Sequence, residues 1–251
     1  MYEMDPEPWT TRKPSRKKTM SFGLKMVFLA LPALLISSSI AIAADNEISA
    51  EEQKEGWIQL FDGKTLNRWM RSDWQLSKGP VEDGSINPHN AGAYMMVYEE
   101  PWENFILVLD FKISPHCNSG ILLRTTPLKA YPGWDVGYNA IEVQIFDSKE
   151  AGYYDTGAIY DLSKPSKQAM KPVGEWNHIE IKCDKGLIDV VLNGEHVNHV
   201  DLDQFTQPYL RPDGTKHKFG FAYKYHPRLG YIGLQDHGAD CWFKNIRLKP
   251  L

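Results

Sequence analysis

The sequence predicts an all-β, two-sheet sandwich of jelly-roll type. Closely spaced runs of alternating apolar residues read as strands, and turn dipeptides separate many of them. No window carries a long apolar period of 3.6 residues, so helices contribute little.

Along the chain, residues 47–55 form a short acidic segment and 57–61 (W-I-Q-L-F) begin the strand pattern. Residues 93–97 follow, and 105–113 (F-I-L-V-L-D-F-K-I) are apolar enough for a central strand. Further candidates are 120–124, 140–146, 158–160, 176–182, 187–192, 196–200, 231–235 and 241–248. Asp62-Gly63, Asp83-Gly84, Asn193-Gly194 and Asp213-Gly214 supply turns. Asn193-Gly194 lies between L-I-D-V-V-L and E-H-V-N-H-V, a hairpin signature, because a type I′ turn needs positive φ at both central residues. Residues 163–174 are polar and proline-bearing and read as a surface loop.

Residues 1–43 read as a leader outside the fold. Arg12, Lys13, Arg16, Lys17 and Lys18 are basic, and 27–36 (V-F-L-A-L-P-A-L-L-I) is an apolar run too short to span a membrane. Ala41-Ile42-Ala43 offers small residues for cleavage before Ala44 or Asp45. Export to a periplasmic or extracellular space follows, with no membrane partner after cleavage. Residues 44–55 then form a short linker and 56–251 the domain. The leader holds six of 28 basic and three of 32 acidic residues, leaving 22 against 29 in a mature chain of 208. A formal charge of −7 disfavours a nucleic-acid partner, since phosphate binding needs concentrated positive charge.

Cys117, Cys183 and Cys241 are an odd set, so at least one thiol stays free. Cys183 continues the alternation of Ile179 and Ile181 and is expected in the core. There is no CxxC or HExxH, and no cofactor is expected. Loop carboxylates leave a divalent cation open. His196 and His199 would face opposite ways on a strand. The absence of GxSxG, P-loop and GxGxxG leaves Ser-His-Asp hydrolysis and nucleotide binding without support.

Residues 138–147 (Y-N-A-I-E-V-Q-I-F-D) are the most informative stretch. Ile141, Val143 and Ile145 would face the core, which puts Glu142 and Gln144 together on the other face, about 6.6 Å apart. In 231–238 (Y-I-G-L-Q-D-H-G), Gly233, Gln235 and His237 would share such a face, with Gly233 leaving floor space for a ligand. In 118–124 (N-S-G-I-L-L-R), Leu122 and Arg124 would point outward, Arg124 as a fork of donors or as a surface partner of Glu142. A carboxylate, amides and nearby aromatic rings suit a carbohydrate, whose ring stacks on Trp or Tyr.

These motifs carry a resemblance across nearly all of the proposed mature chain: 56–69 (G-W-I-Q-L-F-D-G-K-T-L-N-R-W), N-S-G-I-L-L-R, I-E-V-Q-I-F-D, T-G-A-I-Y at 156–160, L-N-G at 192–194 and G-Y-I-G-L-Q-D-H-G at 230–238. In their order and spacing the chain resembles the 3-keto-disaccharide hydrolase family. The resemblance implies a concanavalin A-like lectin/glucanase jelly roll and action on glycosides oxidised at C3. Glu142 or His237 would then transfer the proton. Arg124, Gln144, Gln235, Asn118, Tyr160 and Trp134 would bind the sugar. A non-catalytic carbohydrate-binding module is the alternative. So is a retaining glycosidase, but Glu142-x-Gln144-x-x-Asp147 departs from the E-x-D-x-x-E strand of laminarinase-like enzymes, which pair two carboxyls. Protein recovered from the native exported fraction should have lost the leader; an intact-mass measurement showing a start at Ala44 or Asp45 bears this out, and a retained N-terminus contradicts it.

Overall fold

The computed structural model describes residues 44–73, 75–77, 79–91, 94–125 and 140–251. They form two antiparallel sheets. The six-stranded sheet has the order β1 (Ile58–Gln59), β11 (Cys241–Pro250), β4 (Phe105–Ile113), β7 (Asn177–Asp184), β8 (Leu187–Leu192), β9 (Glu195–Asp201). The five-stranded sheet runs β2 (Trp69–Arg71), β3 (Met95–Tyr98), β10 (Tyr231–Gln235), β5 (Asn118–Thr125), β6 (Ile141–Phe146). This is the predicted jelly-roll sandwich.

Alternation decides which residues meet between the sheets. Leu107, Leu109 and Phe111 of β4 and Ile179, Ile181 and Cys183 of β7 face Ile121, Ile141, Val143, Ile145, Ile232 and Leu234 of the five-stranded sheet in one core. All three cysteines are buried and free, and burial pushes the Cys183 thiol up to about 12. The β8–β9 hairpin turns at Asn193 and Gly194, with φ of 52° and 82°, as the dipeptide requires.

Some elements differ from expectation. The strand expected over 57–61 is reduced to Ile58–Gln59, and 158–160 makes only isolated pairing with β6. The acidic segment holds a short helix, α1 (Ala50–Lys54), started by a reciprocal capping box between Ser49 and Glu52. The segment expected as a linker is docked at its start. The Asn46 backbone N–H donates to Asn245 Oδ1 at 2.6 Å, and the Asn245 N–H donates back to Asn46 Oδ1 at 2.9 Å. Asn46 Nδ2 donates to the Gly84 carbonyl at 2.9 Å. Asn46→Ala would strand the Asn245 N–H and the Gly84 carbonyl. It should cost about 1–3 kcal/mol, read as a lower urea midpoint with unchanged slope.

Candidate functional site

The face of the five-stranded sheet turned away from the core carries the polar residues. Glu142 stands opposite Leu122, and Gln144 opposite Gly120. Gln235 stands opposite Met95 on β3. The far edge of β6 is covered by residues 157–160. The Tyr160 N–H donates to the Glu142 carbonyl at 2.9 Å, and the Gln144 N–H donates to the Ala158 carbonyl at 3.0 Å. With Val143 bridged to Ile159, Tyr160 lies across from Glu142 on the same face.

Gly120 is where the chain needs a missing side chain. A Cβ there would stand 2.5 Å from Glu142 Oε1 and 2.8 Å from its Cγ, so the glutamate lies across the backbone of β5. On either side are the two buried amides. Gln144 Nε2 donates to Asn118 Oδ1 at 3.1 Å, and Gln235 Nε2 donates to Tyr94 Oη at 2.9 Å. Both Oε1 atoms are buried with no hydrogen-bond partner among the described residues. Each amide therefore keeps an acceptor oxygen without a partner among the described residues, the kind of group a hydroxyl satisfies.

Glu142, Gln144, Gln235, Asn118 and Tyr160 are thus brought together. Arg124 is not. A register shift opposite Tyr231–Gly233 adds a residue to β5, and Arg124 takes φ 51° there. Alternation fails at that point, and the guanidinium is fully buried, donating to the Glu103 carbonyl (3.1 and 2.7 Å) and the Lys185 carbonyl (2.7 Å). His237 lies in the exposed turn after β10, where the Gly238 N–H is bound by Asp236 Oδ1 at 2.8 Å. Gly233 leaves no ligand floor, because Met95 fills its space: a Cβ there would collide with the Met95 sulfur. Met95, Val97, Leu122 and Ala140 make this part of the face apolar. Trp134 lies outside the described residues.

His196 and His199 do not diverge as expected. The β8–β9 register slips at Val197, and both rings meet Asp189 Oδ1, at 2.9 and 2.8 Å. No group of three His, Cys, Asp or Glu suited to a metal occurs among the described residues.

Beside Tyr160 is a cluster that sequence reading missed. Asp161, at φ 54°, pairs in the interior with Arg211 (Nη2 to Oδ1, 2.5 Å) and accepts the Lys218 backbone N–H at 2.8 Å. Lys218 thereby reaches Tyr160, its ammonium 4.3 Å from the ring centroid. Tyr154 meets the same ring edge-on at 5.3 Å. Burial, then the charges of Asp161 and Glu142, push the Tyr223 phenol well above its ordinary range, so it stays protonated. These contacts join residues about 50 positions apart; only the Asp-Gly turn at 213–214 marked the loop in sequence.

A jelly roll whose outer sheet face carries a carboxylate and two amide oxygens suits a ligand rich in hydroxyls, such as a carbohydrate. The model of the 3-keto-α-glucoside-1,2-lyase-like domain matches residues 56–249. A 3-keto-disaccharide hydrolase from Bacteroides thetaiotaomicron is 30% identical, over 87% of this chain and 87% of the relative. Two crystal structures from Parabacteroides distasonis, assigned provisionally to glycosyl hydrolases, are similar as well. One has TM-score 0.68 and 26% identity over 83% of this chain and 100% of that one. The other has TM-score 0.60 and 28% identity over 78% and 99%. The chain belongs to the 3-keto-α-glucoside-1,2-lyase-like family of carbohydrate-active enzymes.

Two outcomes follow from these placements. Arg124→Met should leave the Glu103 and Lys185 carbonyls unpaired and lower stability by about 2–5 kcal/mol, measured by denaturant unfolding, whereas a ligand-contacting arginine would leave stability unchanged. His217 is buried among Phe205, Phe219 and Tyr223, and burial first, then Arg211, holds its pKa below the usual imidazole value. Below about pH 6.5 the unfolded chain takes up a proton that the fold refuses, so stability falls as pH drops. Unfolding curves of the wild type and His217→Gln, compared from pH 7.5 to 5, should show the smaller pH slope in the variant.

Proposed function

We propose that this chain cleaves 3-keto-glycosides by elimination and hydration on the outer face of the five-stranded sheet, with Glu142 as general base. The supporting observation is that Glu142 is the carboxylate the described strands present on that face, folded over Gly120 between two amide acceptors. Asp147, the other candidate carboxylate, lies beyond β6, and its Oδ2 accepts the His116 N–H at 2.8 Å. A retaining glycosidase needs two facing carboxyls about 5–5.5 Å apart. Elimination needs one base.

A ketone at C3 acidifies the C2 hydrogen. Glu142 takes that proton, and the C–H electron pair forms a C2=C3 bond as charge passes to the C3 oxygen. The enolate then re-forms the ketone, its C2=C3 electron pair moves to make C1=C2, the C1–O bond breaks, and the departing oxygen takes the proton that Glu142 carries, returning the carboxylate. Water adds across C1=C2, placing hydroxyl on C1 and hydrogen on C2. The net reaction consumes one water and yields a 3-keto sugar and an alcohol. Gln144 and Gln235, held by Asn118 and Tyr94, anchor sugar hydroxyls. His237, in its exposed turn, takes no part in abstraction. The leader implies that the reaction runs outside the cytoplasm.

A panel of 3-keto-glucosides carrying deuterium at C2 tests the reading. Deuterium should be lost to water during turnover, and Glu142→Gln should slow turnover by roughly 10²–10⁴-fold. Asp147→Asn should have a far smaller effect. Full retention of deuterium with an inactive Asp147→Asn selects direct displacement. Saturable sugar binding without product selects a binding module.

A further inference from the structure

We propose that Lys218 stabilises the anionic C3 oxygen formed when Glu142 removes the C2 proton. This rests on the elimination reading above. An enolate oxygen needs donors aimed at it, preferably charged ones. Arg124 is spent on the Glu103 and Lys185 carbonyls, on the far side of a bulge. Arg211 is spent on Asp161 and on the Asp161 and Lys216 carbonyls. The glutamines offer the wrong polarity: their NH₂ groups are held by Asn118 and Tyr94, and the atom left without a partner is oxygen.

Lys218 has the right charge and the right place. Tyr160 stands directly across from Glu142 on the same sheet face, and the lysine ammonium lies 4.3 Å from its ring centroid. Its backbone is fixed as well, because the Lys218 N–H is bound by Asp161, itself clamped by Arg211. The long side chain is thus held at the root by a hydrogen bond and at the tip by a ring face. Tyr160 becomes a platform for the lysine rather than for the sugar. The site is divided by polarity. The keto oxygen faces Tyr160 and Lys218, and the intact hydroxyls face the glutamine oxygens flanking Gly120.

The test compares full-length mature wild type with Lys218→Met, Lys218→Arg and Lys218→Ala on the C2-deuterated 3-keto-glucoside. In Lys218→Met, deuterium loss and kcat should both fall roughly 10²–10³-fold, with KM within about threefold of wild type and the unfolding midpoint unchanged. Lys218→Arg should recover part of the rate. Added ethylammonium should raise the rate of Lys218→Ala, which a purely structural lysine would not allow. Wild-type exchange in Lys218→Met, or a loss confined to KM, overturns the role of Lys218 while leaving elimination standing. A wild type that releases no product and no deuterium overturns both.

Discussion

The close approach of Glu142 to the backbone of β5 at Gly120 is the contact on which the site depends. It is possible because two requirements coincide. Ile141, Val143 and Ile145 must bury themselves against the six-stranded sheet, which turns Glu142 and Gln144 to the other face. The residue opposite Gln144 must then have no side chain, so that the carboxylate can lie flat across the neighbouring strand. Any Cβ at 120 would clash with the Glu142 side chain and force it to shift. The core thus sets the direction of Glu142, and one glycine sets its height.

The rest of the site is held by hydrogen bonds made behind it. Asn118 and Tyr94 fix the orientation of each glutamine amide, and a buried Asp161–Arg211 pair fixes the loop that carries Lys218. A buried charge pair of this kind adds little net stability, but here its Asp161 also holds the Lys218 backbone N–H. The covered edge of β6 matters too, since residues 157–160 both remove an exposed strand edge and deliver Tyr160 opposite Glu142.

The sheet faces were legible in the sequence because strand period is a local property. Ile141 to Ile145 and Ile232 to Leu234 are enough to place Glu142, Gln144 and Gln235. Arg124 was misread because a bulge inserts one residue and reverses every face beyond it, and nothing in N-S-G-I-L-L-R marks that insertion. His196 and His199 were misread for the same reason. Gly233 was read as open floor because which neighbour fills a glycine's space is a cross-strand fact, here Met95. Helix α1 was readable: Ser49 and Glu52 spell a capping box inside the acidic segment. Lys218 was not, because its place follows from a contact 57 residues away in sequence.

The claim that sugar chemistry occurs over Gly120 is tested most directly by a crystal structure of Glu142→Gln with a 3-keto-disaccharide bound. The oxidised ring should lie against residues 120, 144 and 235, its C2 facing the residue 142 side chain and its C3 oxygen turned toward Lys218. A sugar seated instead in the cavity of about 310 Å³ beside Tyr153 and Asp213, with the Gly120 face empty, would contradict it.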